Sequence, residues 1–311
     1  MTGGESITTV GLVHIYRSEG HDVAALAGVD LTVLAGEVVG LLGPSGAGKS
    51  TLLALIGGLF RPSAGKIFVG ERELSALTAS ELDEFHARET SLLLQGARRN
   101  LIPYLTPREN VAFAQEAARR LGAEVPDPGH VLESVGLAEH GDTPLAHLSQ
   151  GQLQLAALAV AMAPAPGVLL ADEPTNALDH VARERILEAM LRINRQEGTT
   201  IVVVTHDPEV AGRLPRTVTI RDGRIGGEGR SGEEYAVVTA DGFLPLPLHA
   251  RADLPPGTLV RFDKVEDTYV LVPRPTGGSA EDAKPYQDEP YAASPAPQRP
   301  VAADRPAADR P

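Results

Sequence analysis

Three short runs, residues 38–42 (VVGLL), 168–172 (VLLAD) and 201–206 (IVVVTH), are apolar up to their polar ends. Strands covered on both faces read this way, whereas strands with one wet face alternate. Helical patterning fills the intervals between them, which implies parallel strands joined by crossover helices, an α/β core within residues 1–230. Residues 75–147 lack such runs and predict a mainly helical insertion. Residues 153–171 carry no charge and approach the length of a membrane span. Pro164, Pro166 and Gly167 divide them, however, and predict a buried helix followed by a short strand.

The pattern changes after residue 230. Residues 233–272 read as short strands, YAVVT, FLPLP, TLVRF and TYVLV, with a hairpin signal at Asp241-Gly242. About 40 residues cannot hold a stable core alone, so this small β module is expected to dock on the main body or to pair with a second copy. Its spacing resembles small AbrB-like swapped-hairpin modules. Residues 273–311 hold 9 of the chain's 25 prolines, lack Leu, Ile, Met and Phe, and end in a doubled AADRP. Such a stretch cannot offset its ordering entropy by burial, which predicts a disordered tail.

Composition narrows the function. The 311 residues carry a formal net charge of −13, a surface that repels phosphate backbones and argues against a nucleic-acid partner. With no cysteine, disulfides, thiolate metal sites and thiol nucleophiles are excluded. The amino terminus has no basic region followed by an apolar stretch, so no secretory signal is expected. The histidines at 130, 140, 147 and 180 do not show a metal-ligand spacing.

The chemistry concentrates in a few motifs. Gly43, Pro44, Ser45, Gly46, Ala47, Gly48, Lys49 and Ser50 satisfy G-x-x-x-x-G-K-[ST], directly after the first apolar run and before a helical stretch beginning Ser50-Thr51. Backbone N–H groups of such a turn cradle phosphates, helped by the positive end of the following helix. Lys49 reaches the β- and γ-phosphates, and the Ser50 hydroxyl can ligate Mg²⁺. Asp172 and Glu173 end the second apolar run, where ligands gather in parallel sheets. The first suits Mg²⁺ through water; the second suits a general base for hydrolysis.

GPSGAGKST (43–51), Gln95, LSQGQ (148–152), LLADEPTNALD (169–179) and VVVTHD (202–207) follow one another in the order of an ABC-transporter ATPase subunit. Residues 5–230 resemble that family, and LLADEPTNALD with QEGTTIVVVTH is most similar to its LolD/MacB branch. The resemblance implies an α/β ABC ATPase cassette with a parallel-sheet core, an antiparallel β subdomain and a helical insertion, binding ATP and Mg²⁺. It implies that Leu148, Ser149, Gln150, Gly151 and Gln152 form a signature that meets the γ-phosphate held by a second subunit. The same resemblance implies that Gln95 senses Mg²⁺ and the attacking water, Asp179 crosses the dimer interface, His206 contacts the γ-phosphate, and Tyr16 stacks on adenine. Arg98 and Arg99 follow Gln95 where such cassettes meet a permease. Two positions depart from the family: Gln150 stands where a second signature glycine is usual, and Leu155 replaces an arginine.

These readings lead to a peripheral ATPase on the cytoplasmic face of the membrane. It would pair with itself or with a second ABC ATPase and power an FtsX-like permease that exports lipid, lipoprotein, peptide or drug. The alternatives are a mechanotransmitting ATPase that controls an extracytoplasmic activity, a soluble non-transport ABC ATPase, and a nucleotide-binding regulator with weak turnover.

Overall fold

The computed structural model describes residues 3–18, 21–230, 233–238, 242, 244–246, 250, 253–255, 257–266 and 268–273. In chain order the elements are β1 (Ile7–Ser18), β2 (His21–Val33), β3 (Val38–Leu42), α1 (Lys49–Ile56), β4 (Ala64–Val69), β5 (Arg72–Glu73), α2 (Ala79–Arg88) and β6 (Thr90–Leu93). There follow α3 (Pro107–Ala114), α4 (Glu116–Arg120), α5 (Pro128–Ser134), α6 (Gln150–Met162), β7 (Val168–Asp172), α7 (His180–Glu197), β8 (Thr200–Val204) and α8 (Pro208–Ala211). The last strands are β9 (Arg216–Arg221), β10 (Arg224–Arg230), β11 (Glu233–Ala236), β12 (Val260–Val265) and β13 (Thr268–Pro273). The chain divides into two units, Met1–Arg251 and Ala252–Pro311.

The first unit is built on a seven-stranded sheet ordered β11-β10-β9-β3-β8-β7-β6. The three apolar runs are β3, β8 and β7 at its centre, mutually parallel, with β9 and β6 parallel on either side. Alternation along these buried strands separates two cores. Val39, Leu41, Val168, Leu170, Val202 and Val204 face one side with Leu52, Leu53 and Ile56 of α1. Val38, Leu169, Ala171, Ile201 and Val203 face the other side with α6 and α7. Each fully buried Leu or Ile contributes about 1.5–3 kcal/mol, so these two layers fix how β3, β7 and β8 end in a common edge. A second, antiparallel sheet ordered β2-β1-β4-β5 packs its Ile7, Leu12, Leu26 and Ile67 into the α1 side.

Residues 153–171 form most of α6 followed by β7, the helix-then-strand division that Pro164, Pro166 and Gly167 predict. Among the described residues no helix is long and apolar enough to cross a membrane.

The structure differs from the sequence expectation at two points. The span 75–147 is not wholly helical, because Thr90–Leu93 forms β6, the edge strand beside β7. Only four residues long and half exposed in its middle, TSLL carries no continuous apolar run to announce it. Second, Glu233–Ala236 does not begin a separate module. It pairs with β10 as β11, at the far edge of the large sheet. In the second unit β12 and β13 form a two-stranded antiparallel hairpin. Residues 244–246 of FLPLP are described and form no strand, while Asp241, Phe243, Pro247 and the tail from residue 274 lie outside the described residues.

Candidate functional site

Five of the motif residues meet at the shared edge of β3, β7 and β8. The chain leaves β3 at Leu42, turns through Gly43, Pro44, Ser45, Gly46, Ala47 and Gly48, and enters α1 at Lys49. Gly48 caps that helix in the left-handed region, φ +99°, where a Cβ would stand 2.4 Å from the Ala25 carbonyl oxygen. Only glycine fits there. The buried Lys49 Nζ donates to the Gly43 and Pro44 carbonyls, both at 2.8 Å, so the ammonium folds back over the turn.

At the next residue, the Ser50 hydroxyl donates to Asp172 Oδ1 at 3.2 Å. Burial raises the Asp172 carboxyl above its ordinary range. The neighbouring Glu173 charge adds to this, while the Ser50 hydrogen bond and the Lys49 ammonium oppose it. Glu173 follows at φ +49°, a backbone state that costs a non-glycine residue about 1–3 kcal/mol. Its N–H donates to the Val204 carbonyl at 3.0 Å, so the register of β8 holds the strained residue in place. Its Oε1 lies 2.7 Å from His206 Nδ1, on the loop after β8. A cavity of about 920 Å³ opens beside Gly43, Pro44 and His206.

Tyr16 lies on β1 with 42% of its surface exposed, and its hydroxyl is 3.2 Å from Thr51 Oγ1. Its ring meets His14 edge-on at 4.8 Å and Phe60 at 6.4 Å. The i, i+2 spacing of His14 and Tyr16 on a strand places them on one face, a signal legible in sequence. Phe60 has no such signal. Gln95 is exposed two residues past β6, whose neighbour β7 ends in Asp172, so it stands at the same edge of the sheet. Arg98 and Arg99 are exposed in the following short helical turn.

The LSQGQ motif lies elsewhere, at the start of α6. The Ser149 side chain accepts from the Gln152 N–H, and Gln152 Oε1 accepts from the Ser149 N–H at 2.8 Å, a closed capping box. Asp179 caps α7 with a single bond, its Oδ1 accepting from the Ala182 N–H at 2.7 Å. Gly151 lies against α7: a Cβ there would come within 2.9 Å of the Ala182 Cβ. The two helix starts share a cavity of about 430 Å³, lined by Ser149, Gln150, Gly151, Gln152, Leu155 and Asp179 among others. Leu148 and Leu155 are buried in the α6 core, so the departure at 155 is absorbed as packing. Gln150 is exposed at the helix start.

A family model described as "ABC transporter" matches residues 26–176. Over 220 residues the chain is 36% identical to the lipoprotein-releasing system ATP-binding protein LolD 1 of Caulobacter vibrioides, covering 69% of this chain and 92% of that protein. It is 41% identical over 237 residues to the methionine import ATP-binding protein MetN of the same organism, covering 76% and 70%. Against the macrolide export ATP-binding/permease protein MacB of Rhodopirellula baltica identity is 39%, over 70% of this chain and 32% of that protein. Among solved structures it resembles the ATP-binding cassette MJ0796, described as a dimeric post-hydrolysis state bound to ADP and Pi. The TM-score is 0.62 and identity 31%, covering 72% of this chain and 98% of that one. The chain belongs to the ABC transporter family, as an ATP-binding subunit that hydrolyses ATP.

Proposed function

We propose that this ATPase works as one half of a two-cassette sandwich that drives a separate FtsX-like permease from the cytoplasmic face of the membrane. The observation that carries the reading is the convergence of Lys49, Ser50, Asp172, Glu173 and His206 on one sheet edge. In it, the Gly43–Gly48 turn and Lys49 bind the ATP phosphates, and Tyr16 stacks on the adenine. The Lys49 ammonium exchanges its two carbonyl partners for phosphate oxygens. Glu173 takes the proton of the attacking water at Oε1, and the His206 Nδ1 contact orients that carboxylate.

The donor set fits Mg²⁺. A hydroxyl and a carboxylate lie 3.2 Å apart, and burial beside a second carboxylate works against the Asp172 charge, which a divalent cation would relieve. Ser50 and Asp172, the latter through water, would hold the ion with Gln95 nearby. Mg²⁺ would neutralise charge on the β- and γ-phosphates.

The signature face, Ser149 to Gln152 with Asp179, completes the site of the partner cassette. A helix start offers N–H groups to the γ-phosphate across the interface. Export of lipid, lipoprotein, peptide or drug is favoured by the LolD and MacB relatives, whose names concern lipoprotein release and macrolide export; the MetN relative, named for import, is the competing direction. The test is to capture tagged Glu173→Gln with MgATP from native membranes and identify the co-purifying chains by mass spectrometry. A polytopic permease with a large outer domain is expected. Recovery of an import permease would overturn the direction, and recovery of soluble chains alone would overturn the coupling to transport.

A further inference from the structure

Apart from its 2.7 Å contact with Glu173, His206 is held from its two sides. Its own side chain is 64% exposed, so packing does not fix it, and its position follows from the backbone at Thr205 and Asp207. On the first side, Thr205 is fully buried and donates its N–H to the Leu41 carbonyl at 3.2 Å, which ties it to β3. On the second side, Asp207 Oδ1 accepts from the Glu209 N–H at 2.9 Å, capping α8. Its other oxygen, Oδ2, lies 3.1 Å from Arg183 Nη1.

Arg183 stands in the first turn of α7, and its own N–H donates to the Asp179 carbonyl at 2.9 Å. One residue therefore joins the capped start of α7, which lines the LSQGQ cavity, to the loop that carries His206. The guanidinium also reaches Glu209 Oε2 at 2.5 Å. That carboxylate is 72% exposed, whereas the side chains of Arg183 and Asp207 are 20% and 27% exposed. Ion pairs at exposed groups contribute about 0–1 kcal/mol, so the Glu209 arm adds little. The Asp207 arm is shielded and attached to the residue adjoining His206.

We infer that Arg183 is a positioning residue for hydrolysis: through Asp207 it holds the His206 loop so that Nδ1 stays against Glu173. The inference rests on the proposed roles of His206 and Glu173. It concerns the step after nucleotide binding, since Lys49 and the Gly43–Gly48 turn have no contact with Arg183 among the described hydrogen bonds and ion pairs.

The test is steady-state ATPase kinetics on the full chain carrying Arg183→Gln, Arg183→Lys, Glu209→Gln or His206→Ala, with thermal unfolding of each. A misplaced catalytic group costs about 10- to 100-fold in rate. Arg183→Gln is therefore expected to lower kcat by about that factor while KM for ATP stays within about twofold. Arg183→Lys keeps a cation for Asp207 and is expected to recover part of kcat, which also guards against simple misfolding. Glu209→Gln is expected to leave kcat within about twofold of wild type. An Arg183→Gln enzyme with wild-type kcat, beside an inactive His206→Ala, would overturn the inference alone. So would a loss of kcat matched by an equal rise in KM or by a collapsed Tm in both Arg183 variants. Wild-type turnover in His206→Ala would overturn the underlying reading of the site, and the inference with it.

Discussion

The two motif-bearing regions of this cassette are built in opposite ways. The phosphate-turn region, from Gly43 to Ser50 with Asp172, Glu173 and His206, is brought together from residues up to 163 positions apart by contacts within one chain. The signature region, Ser149 to Gln152 with Asp179, consists of two helix starts whose side chains satisfy their own backbones. Its cavity presents a surface and no reactive cluster. The first region contains groups under strain or electrostatic stress, namely Glu173 at positive φ and Asp172 disfavoured by burial. The second contains relaxed caps. The fold holds groups away from their preferred states in the first region and satisfies them in the second.

The sharpest way to break this contrast is Lys49→Ala. Loss of a charge-assisted contact lowers affinity by about 10- to 100-fold, so the single cassette should lose nucleotide binding by that factor in isothermal titration. Ser149→Ala should leave the same titration unchanged, because its hydroxyl caps α6 and faces a different cavity. Equal losses in both variants would show that the regions are not separable. Next in size is Gly151→Ala, whose added methyl meets Ala182 at 2.9 Å. Overpacking of this kind costs about 1–3 kcal/mol. The expected outcome is a lower Tm with nucleotide affinity of the single cassette intact; an unchanged Tm would show that α6 and α7 separate freely.

The smallest effect on stability concerns Asp172. Its carboxyl is raised in the folded protein, so the fold binds this proton more tightly than the unfolded chain does. The charged form therefore weakens the nucleotide-free protein above the raised value, and that penalty fades as pH falls through it. Asp172→Asn should give a small rise in Tm over wild type at neutral pH without nucleotide, and that advantage should shrink as pH falls through the raised value. It should also remove turnover. A lower Tm for Asp172→Asn would mean that the carboxylate stabilises the empty fold instead.

Much of the first region was readable in the chain because its parts are local. Continuous apolar runs marked β3, β7 and β8, and the glycine spacing of 43–48 marked the turn. The edge strand β6 was not readable, since TSLL is short and only half covered. The attachment of Glu233–Ala236 to β10 was hidden for a different reason: strand pairing at a sheet edge depends on backbone groups, which every residue carries. The contact of Arg183 with Asp207 joins residues 24 positions apart on separate elements, and no periodicity records it. The hydrogen bond between Glu173 and His206 is a finding of the structure, since the family resemblance implies only a γ-phosphate contact for His206, and nothing in the sequence signals the strain at Glu173.

The capped helix starts also bear on how an assembly of two cassettes comes apart. An interface whose polar groups pair only across it leaves each partner with orphaned donors on separation, which makes release slow. Here the side-chain acceptors of Ser149 and Asp179 already have partners within their own chain. In the proposed two-cassette sandwich each subunit would withdraw with these groups hydrogen-bonded, leaving the lifetime of the closed state to the bound nucleotide as its timer.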